Sequence, residues 1–202
     1  MHQLSITLSL LGLLVGLHRG GEGIGIERTN TGVITVRNGQ TWGSWSNPEM
    51  CPLGTYATGF SLKVEPKQGA GDDAALNGIA LRCTSSFHSL GSYVSYATVR
   101  SDTGSWGKWT RNRWCRAGHL VAFQMQVEGF QYVGDDTAAN NIRFKCSTGE
   151  VLEGDGTSWG SWGSWSPTCT GKGICGIETK VELPQGVGDD TALNDVRFFC
   201  CR

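Results

Sequence analysis

The sequence has no basic run. Its 202 residues include 17 Lys and Arg against 18 Asp and Glu, so the formal net charge is −1. Proteins that bind nucleic acid or anionic lipid surfaces concentrate positive charge in a stripe or a cluster. We therefore expect neither a nucleic-acid partner nor a membrane partner.

Helix-patterned segments are also scarce. No long window has apolar residues at the i, i+3, i+4 and i+7 positions of an amphipathic helix. Apolar residues alternate instead, as in Val33–Val36 and Phe60–Val64, and glycine is frequent, at 30 residues. Alternation is typical of half-buried strands, and glycine favours tight turns. These features predict an all-β protein.

Catalytic and metal-binding motifs are missing from the sequence. No Gly-x-Ser-x-Gly elbow occurs, and His88 and His119 are the only histidines beyond the N-terminal leader. A Ser–His–Asp arrangement is therefore not supported, and we interpret both histidines as surface or loop residues. No Cys-x-x-Cys pair occurs, so zinc is the less favoured role for the cysteines. We expect no cofactor, no metal and no catalytic residue.

An apolar run is present at the N-terminus. Residues 4–17 are almost wholly apolar, a length that suits the core of a signal peptide better than a membrane span of roughly 20 residues. We expect residues 1–24 to be a signal peptide, cleaved between about Leu17 and Gly25. An uncleaved signal anchor is the alternative. Residues 25–202 are expected to form a single secreted, extracellular domain.

One unit occurs three times along the chain. Each copy has a Trp-Gly-x-Trp motif, a Cys, a Val-Glu pair, a Gly-Asp-Asp-x-Ala segment and a closing Cys. We assign the Trp-Gly-x-Trp motifs to residues 42–45, 106–109 and 162–165, which leaves Trp114 and Trp159 outside the repeat. The copies span about residues 31–95, 96–150 and 151–202.

The repeat restricts the pairing of the eight cysteines. An even number of cysteines in an exported chain predicts disulfides. Each copy offers one natural pair, which leaves two cysteines to pair with each other: Cys51–Cys83, Cys115–Cys146, Cys169–Cys200 and Cys175–Cys201. The exchange to Cys169–Cys201 with Cys175–Cys200 stays open, because adjacent cysteines are nearly equivalent in position.

Each copy is expected to form one small antiparallel sheet. The first copy contains the alternating runs Val33–Val36, Tyr56–Val64 and Asn77–Cys83. One such sheet cannot cover its own apolar face, so we expect three sheets to pack around a common axis. Closure into a prism also limits exposed sheet edges. An extended solenoid or three loosely joined domains are less favoured, because the segments between the copies are short.

The repeated unit, with its Trp-Gly-x-Trp and Gly-Asp-Asp-Thr-Ala-Leu-Asn motifs, resembles the vitelline membrane outer layer protein 1 family. The resemblance extends from about Thr31 to Arg202. It implies a β-prism of three Greek-key sheets with pseudo-threefold symmetry and four disulfides. It also implies an extracellular protein associated with egg coats or glycan-rich secretions. Ala80 departs from the other copies, which have Arg143 and Arg197, so the first copy is expected to lack one contact.

The repeated Gly-Asp-Asp segments supply paired carboxylates. These are Asp72, Asp73, Asp135, Asp136, Asp189 and Asp190. Paired carboxylates could hydrolyse glycosides or bind calcium. An acid–base pair, however, needs two carboxylates in different surroundings, and equivalent copies do not supply that asymmetry. We interpret the segments as turns, and we interpret the tryptophans as core residues that pack beside the disulfides.

The function expected from these features is structural or protective. Matrix or egg-coat glycoproteins and glycans are the expected partners, and a monomer is expected. A lectin-like module is one alternative, and a transferase acting on N-acetylglucosamine oligomers is another that the resemblance implies. An enzyme would use the acids that the repeat does not copy: Glu49, Asp102, Glu150, Glu153 and Asp155.

Overall fold

The computed structural model describes residues 28–66, 76–85, 95–128, 139–182 and 193–202, which form fourteen strands. The strands are β1 (Asn30–Ile34), β2 (Ser44–Trp45), β3 (Glu49–Met50), β4 (Tyr56–Val64), β5 (Leu76–Thr84), β6 (Ala97–Val99), β7 (Lys108–Trp109), β8 (Arg113–Trp114), β9 (Leu120–Val127), β10 (Ala139–Cys146), β11 (Val151–Glu153), β12 (Ser161–Trp162), β13 (Gly173–Val181) and β14 (Leu193–Cys201). No helix in these described ranges has the length and apolar character needed to cross a bilayer.

The strands form three antiparallel sheets, each centred on one long pair of strands. Sheet 1 has the order β6-β5-β4-β7, with β8 also paired to β4. Sheet 2 has the order β11-β10-β9-β12, and sheet 3 has the order β1-β14-β13-β2, with β3 also paired to β13. In sheets 1 and 2 the fourth strand lies beside the first of three consecutive strands, which is the Greek-key arrangement. The all-β prediction and the prism of three antiparallel sheets are confirmed.

The prediction that each copy forms its own sheet is wrong for the outer strands. The two long strands of a sheet come from one copy, but the Trp-Gly-x-Trp strand comes from the next copy. Strand β7 of the second copy therefore lies in sheet 1. The N-terminal β1 pairs with the C-terminal β14, with Val33 opposite Phe199 and Ile34 opposite Phe198. The two ends of the described chain thus complete sheet 3 together and close the ring of sheets.

The core lies where the three sheets face one another. Four phenylalanines from the long strands are fully buried there: Phe60, Phe123, Phe144 and Phe198. The ring centroid of Phe144 lies 4.7 Å from that of Phe60 in sheet 1 and 5.2 Å from that of Phe198 in sheet 3. Aromatic pairs at these separations and tilted angles are favourable beyond the area that they bury. This aromatic cluster joins all three sheets.

Four disulfides are present, and three of them connect one sheet to the next. Cys51 directly follows β3 of sheet 3 and is bonded to Cys83 of sheet 1. Cys115, which follows β8 of sheet 1, is bonded to Cys146 of sheet 2. Disulfides persist in oxidising compartments, so four of them indicate an extracellular protein.

The remaining cysteines complete the ring of sheets. Cys169 lies on the edge of sheet 2, where its N–H donates to Val121 O, and it is bonded to Cys200 of sheet 3. Cys175 and Cys201 are bonded to each other within sheet 3. Of the two arrangements that the sequence leaves open for the last four cysteines, the structure contains Cys169–Cys200 with Cys175–Cys201.

Candidate functional site

The tryptophans of the repeat lie on the surface, so the prediction that they are core residues is wrong. Trp42 and Trp106 are each 56% exposed and Trp159 is 47% exposed. The Trp strands lie at sheet edges, where Trp45 is paired with Lys180 and Trp109 with Lys63. Inward positions are already filled by the phenylalanines and aliphatic residues of the long strands. The tryptophans therefore present aromatic surface to solvent.

The third Trp motif consists of residues 159–162, not residues 162–165 as predicted. Trp162 is paired with Gln126 in the way that Trp109 is paired with Lys63. Gly160 has φ 74°, as Gly43 and Gly107 have φ 78° and 85°. A Cβ atom on Gly160 would lie 2.3 Å from Val127 O, so only glycine fits where the strand crosses this backbone. Trp159 therefore belongs to the repeat, and Trp165 lies outside it.

Cations stack on several of these tryptophans. The guanidinium of Arg143 lies 3.7 Å from the ring centroid of Trp162, and that of Arg197 lies 4.4 Å from the ring centroid of Trp45. In sheet 1 the equivalent position is the buried Ala80, and the cation over Trp109 is instead Arg100, at 5.8 Å from the ring centroid. Each stack contributes about 0.5–1 kcal/mol when exposed.

Glu178 is the most buried acid among those described outside the repeat. It is 4% exposed and accepts hydrogen bonds of 2.5 and 2.6 Å from Nε and Nη2 of Arg197. These hydrogen bonds raise the pKa of Arg197 above its ordinary value. The opposite residue to Arg143 in sheet 2 is the neutral Gln124. Both oxygens of the Glu178 carboxylate thus accept hydrogen bonds from Arg197, and these bonds hold the guanidinium over Trp45.

A polar pocket of about 460 Å³ lies where sheet 3 meets sheet 1. It is lined by Asn47, Glu49, Arg100, Ser101, Asp102 and Thr103. The Ser101 hydroxyl donates to Asn47 O over 3.0 Å. The Thr179 hydroxyl donates to Asp102 O over 2.7 Å. These two hydrogen bonds join the segment that follows β6 of sheet 1 to sheet 3.

The five acids that were named as candidates for an enzyme divide into two groups. Glu49 and Asp102 line the polar pocket together. The other three take part in ion pairs with arginine: Glu150 with Arg116 at 3.5 Å, Glu153 with Arg143 at 3.8 Å, and Asp155 with Arg111 at 3.3 Å and with Arg113. The sequence identifies these acids by their absence from the repeat, but it does not indicate which of them meet in space.

The repeated acids Asp72, Asp73, Asp135, Asp136, Asp189 and Asp190 lie outside the described residues, so their role as turn residues stays a prediction. The asparagines that follow them, Asn77 and Asn140, are fully buried. Asn77 Oδ1 accepts a hydrogen bond of 3.2 Å from the N–H of Trp106. Among the residues that the structure describes, no three His, Cys, Asp or Glu side chains are grouped for metal binding.

A partly buried histidine lies near the beginning of β4 and β9. The ring of His119 packs edge-on against Tyr56, with centroids 5.1 Å apart, and the guanidinium of Arg28 lies 4.7 Å from the Tyr56 centroid. Burial, together with the positive charge of Lys172, lowers the pKa of His119 below its ordinary 6.5. His119 lies in a loop just before β9, as expected, but it is only partly exposed.

Acidification is expected to destabilise the protein through His119. The folded state holds the imidazole neutral at a pH where the unfolded chain already binds a proton, so the unfolded state is favoured as pH falls below about 6.5. Urea unfolding should give a smaller free energy at about pH 5.5 than at about pH 7.5. In the His119→Gln variant the difference between these two values should shrink. An unchanged difference would contradict this role for His119.

Comparison with known proteins agrees with the repeat and the prism. Residues 32–202 match the family described as Vitelline membrane outer layer protein I (VOMI). The vitelline membrane outer layer protein 1 homolog of Homo sapiens is 56% identical over 174 residues, which cover 85% of this chain and 84% of that protein. The homolog of Mus musculus is 49% identical over 196 residues, which cover 96% and 94% respectively.

Among solved structures, a prostate-specific WGA16 glycoprotein lectin superposes with a TM-score of 0.50. It covers 84% of this chain and 99% of its own, at 14% sequence identity. An identity this low shows a shared fold and leaves the ligand open. The family match extends over the whole described structure from β2 to β14 and includes all the cysteines. The chain belongs to the vitelline membrane outer layer protein I family.

Proposed function

We propose that the protein is a secreted structural and protective component of glycan-rich extracellular layers such as an egg coat. The observation that carries the proposal is the ring of disulfides in which each of three bridges joins one sheet to its neighbour. A protein that persists outside the cell meets proteases and dilution without chaperones, and its survival depends on how rarely it opens. Covalent connections between sheets limit that opening.

The charge of the protein also fits this proposal. A net charge of −1 gives little long-range repulsion, so a dense layer can hold many copies of the chain. The same near-neutral surface makes association depend on short-range contacts. The proposed partners are extracellular glycoproteins and their glycans, with the protein itself monomeric.

Retention in an isolated extracellular layer tests this function. Mature protein, beginning near residue 25, would be added to egg-coat or mucin material that has been stripped of loosely bound protein. We expect the native protein to stay bound through washes at physiological salt and to resist trypsin. The same protein, reduced and alkylated, should be lost to the protease. Complete elution of the native protein in the first wash would overturn the proposal.

Glycan binding is a second candidate function, and the exposed tryptophans favour it. Trp42, Trp106 and Trp159 occupy equivalent positions in the three copies, and each is about half exposed. An exposed indole combines a large apolar face with an N–H donor, and the apolar faces of sugar rings pack on such surfaces. The repetition around the prism would allow several weak contacts with one branched glycan to add together.

A glycan array separates the two functions. We expect a glycan-binding protein to give signals that fall at least about tenfold in a Trp42→Ala, Trp106→Ala double variant, because stacking is the proposed contact. Trp165→Ala, outside the repeat, is the matched control. An array without signal at high protein concentration would remove this candidate and leave the structural function untouched.

A further inference from the structure

Two of the junctions between sheets have the same backbone arrangement. At the first junction, residues 47–49 of sheet 3 face residues 100–103 of sheet 1 across the polar pocket. At the second junction, residues 111–113 of sheet 1 face Asp155, which follows sheet 2. Glu49 is paired with Ile177, and Arg113 is paired with Phe60 at the equivalent point of its sheet. Glu49 and Arg113 are therefore equivalent positions.

The acids that face them are also equivalent. Val99 is paired with Leu81, and Asp102 follows three residues later. Leu152 is paired with Phe144, and Asp155 follows three residues later. Both junctions thus place an aspartate three residues after the equivalent paired residue of an outer strand.

The second junction is closed by arginine. Asp155 is in ion pairs with Arg111, at 3.3 Å from Nε, and with Nη2 of Arg113. The side chains of Asp155 and Arg113 are each 33% exposed. Guanidinium groups on a carboxylate are strong, planar partners, and here both arginines of sheet 1 pair with the aspartate that follows sheet 2.

The first junction keeps the acid and lacks the arginines. Asn47 stands where the second junction has Arg111, and Glu49 stands where it has Arg113. Within the described ranges, neither Glu49 nor Asp102 has an ion-pair partner within 4.0 Å. The nearby Arg100 directs its guanidinium to Trp109, at 5.8 Å from the ring centroid. The pocket of about 460 Å³ lies between these residues.

We propose that this pocket binds the guanidinium group of an arginine side chain of a partner protein. The group would take the place that Arg111 and Arg113 occupy at the second junction. Glu49 and Asp102 together outnumber the single cation Arg100, so the pocket favours a positive ligand. Arginine offers five N–H donors in one plane, which suits two carboxylates and the Asn47 side-chain oxygen better than an ammonium group does.

Titration with an arginine whose amino and carboxyl groups are both blocked tests the proposal. The mature protein, labelled for two-dimensional NMR, would be titrated with N-acetylarginine amide and with the matching lysine and citrulline amides. We expect saturable shifts of the amides of residues 47–49 and 100–103 with the arginine probe, in the millimolar range expected for a single side chain. The citrulline probe, which has the same shape without the charge, should bind at least about tenfold more weakly.

Three variants make the assignment specific. Asp102→Asn should weaken binding of the arginine probe about tenfold, whereas Asp155→Asn at the closed junction should leave it unchanged. The double variant Asn47→Arg, Glu49→Arg copies the second junction, so it should abolish binding while the rest of the spectrum stays folded. Equal binding of the citrulline or lysine probe, or unchanged binding by Asp102→Asn, would overturn the proposal.

Discussion

Removal of the disulfide between Cys115 and Cys146 is expected to lower the free energy of unfolding by about 2–5 kcal/mol. The two cysteines are 31 residues apart, and their bond joins sheet 1 to sheet 2. Without it the unfolded chain gains the conformational freedom of that loop. The seam between the two sheets also loses its covalent connection. Urea unfolding of the Cys115→Ser, Cys146→Ser variant measures the loss.

The bond between Cys175 and Cys201 provides the matched control. Its cysteines are 26 residues apart, so loop entropy assigns it nearly the same stabilisation, but both cysteines lie within sheet 3. We expect similar losses of unfolding free energy in the two double-serine variants and different patterns of hydrogen exchange. Exchange should accelerate along the outer strands of sheets 1 and 2 only when Cys115–Cys146 is absent. The same pattern in both variants would contradict a role in joining sheets.

The second large effect is expected from the aromatic cluster. Phe144→Ala should lower the free energy of unfolding by about 3–5 kcal/mol, because the side chain is fully buried and the surrounding residues relax only partly into the cavity. Phe144 contacts the rings of Phe60 and Phe198 and lies 6.3 Å from the centroid of Phe123. One truncation therefore weakens the packing of all three sheets. Thermal and urea unfolding both report the change.

Phe199→Ala is the control for that truncation. Phe199 follows the buried Phe198 in β14 and is only partly buried. The same atoms are removed, but solvent can fill the space, so we expect a loss clearly below that of Phe144→Ala. Equal losses would mean that the cluster is not the place where the sheets are held together.

The main architecture could be read from the repeat because a repeated unit with strand spacing has few ways to bury its apolar face. The pairing of the outer strands could not. A sequence repeat has no marked beginning, and nothing local to Val33 indicates that its partner is Phe199. Such long-range pairings are determined by the packing of all three sheets around the common axis. The exchange of outer strands between copies is therefore a tertiary effect.

The tryptophans show a second limit. A Trp beside a Gly turn and a Cys is compatible with either face of a strand, and the choice depends on strand register. Two overlapping Trp-Gly-Ser-Trp motifs between Trp159 and Trp165 made the third copy ambiguous. The spacing from Trp42 to Cys51 and from Trp106 to Cys115 is nine residues. Starting from Trp159 gives ten residues to Cys169, and starting from Trp162 gives seven; this signal favours the correct register.

The polar pocket could not be predicted from the sequence, for a different reason. Glu49 and Asp102 come from segments of different sheets, and neither is part of a motif. Comparison of the three copies shows only that these two acids are not among the acidic positions that all copies share. Their meeting depends on how sheet 3 packs against sheet 1, and the contrast with Arg113 and Asp155 becomes visible only when the equivalent strands are aligned by their hydrogen-bonded partners.

Disulfide mapping of the native, unreduced protein would show whether the three sheets are joined covalently into a closed ring. Fragmentation that separates Cys200 from Cys201 is required, because the two are adjacent. We predict the linked peptides Cys51–Cys83, Cys115–Cys146, Cys169–Cys200 and Cys175–Cys201. A free thiol at any of these positions, or a pairing that leaves two neighbouring sheets without a bridge, would mean that the ring of sheets is not closed by disulfides.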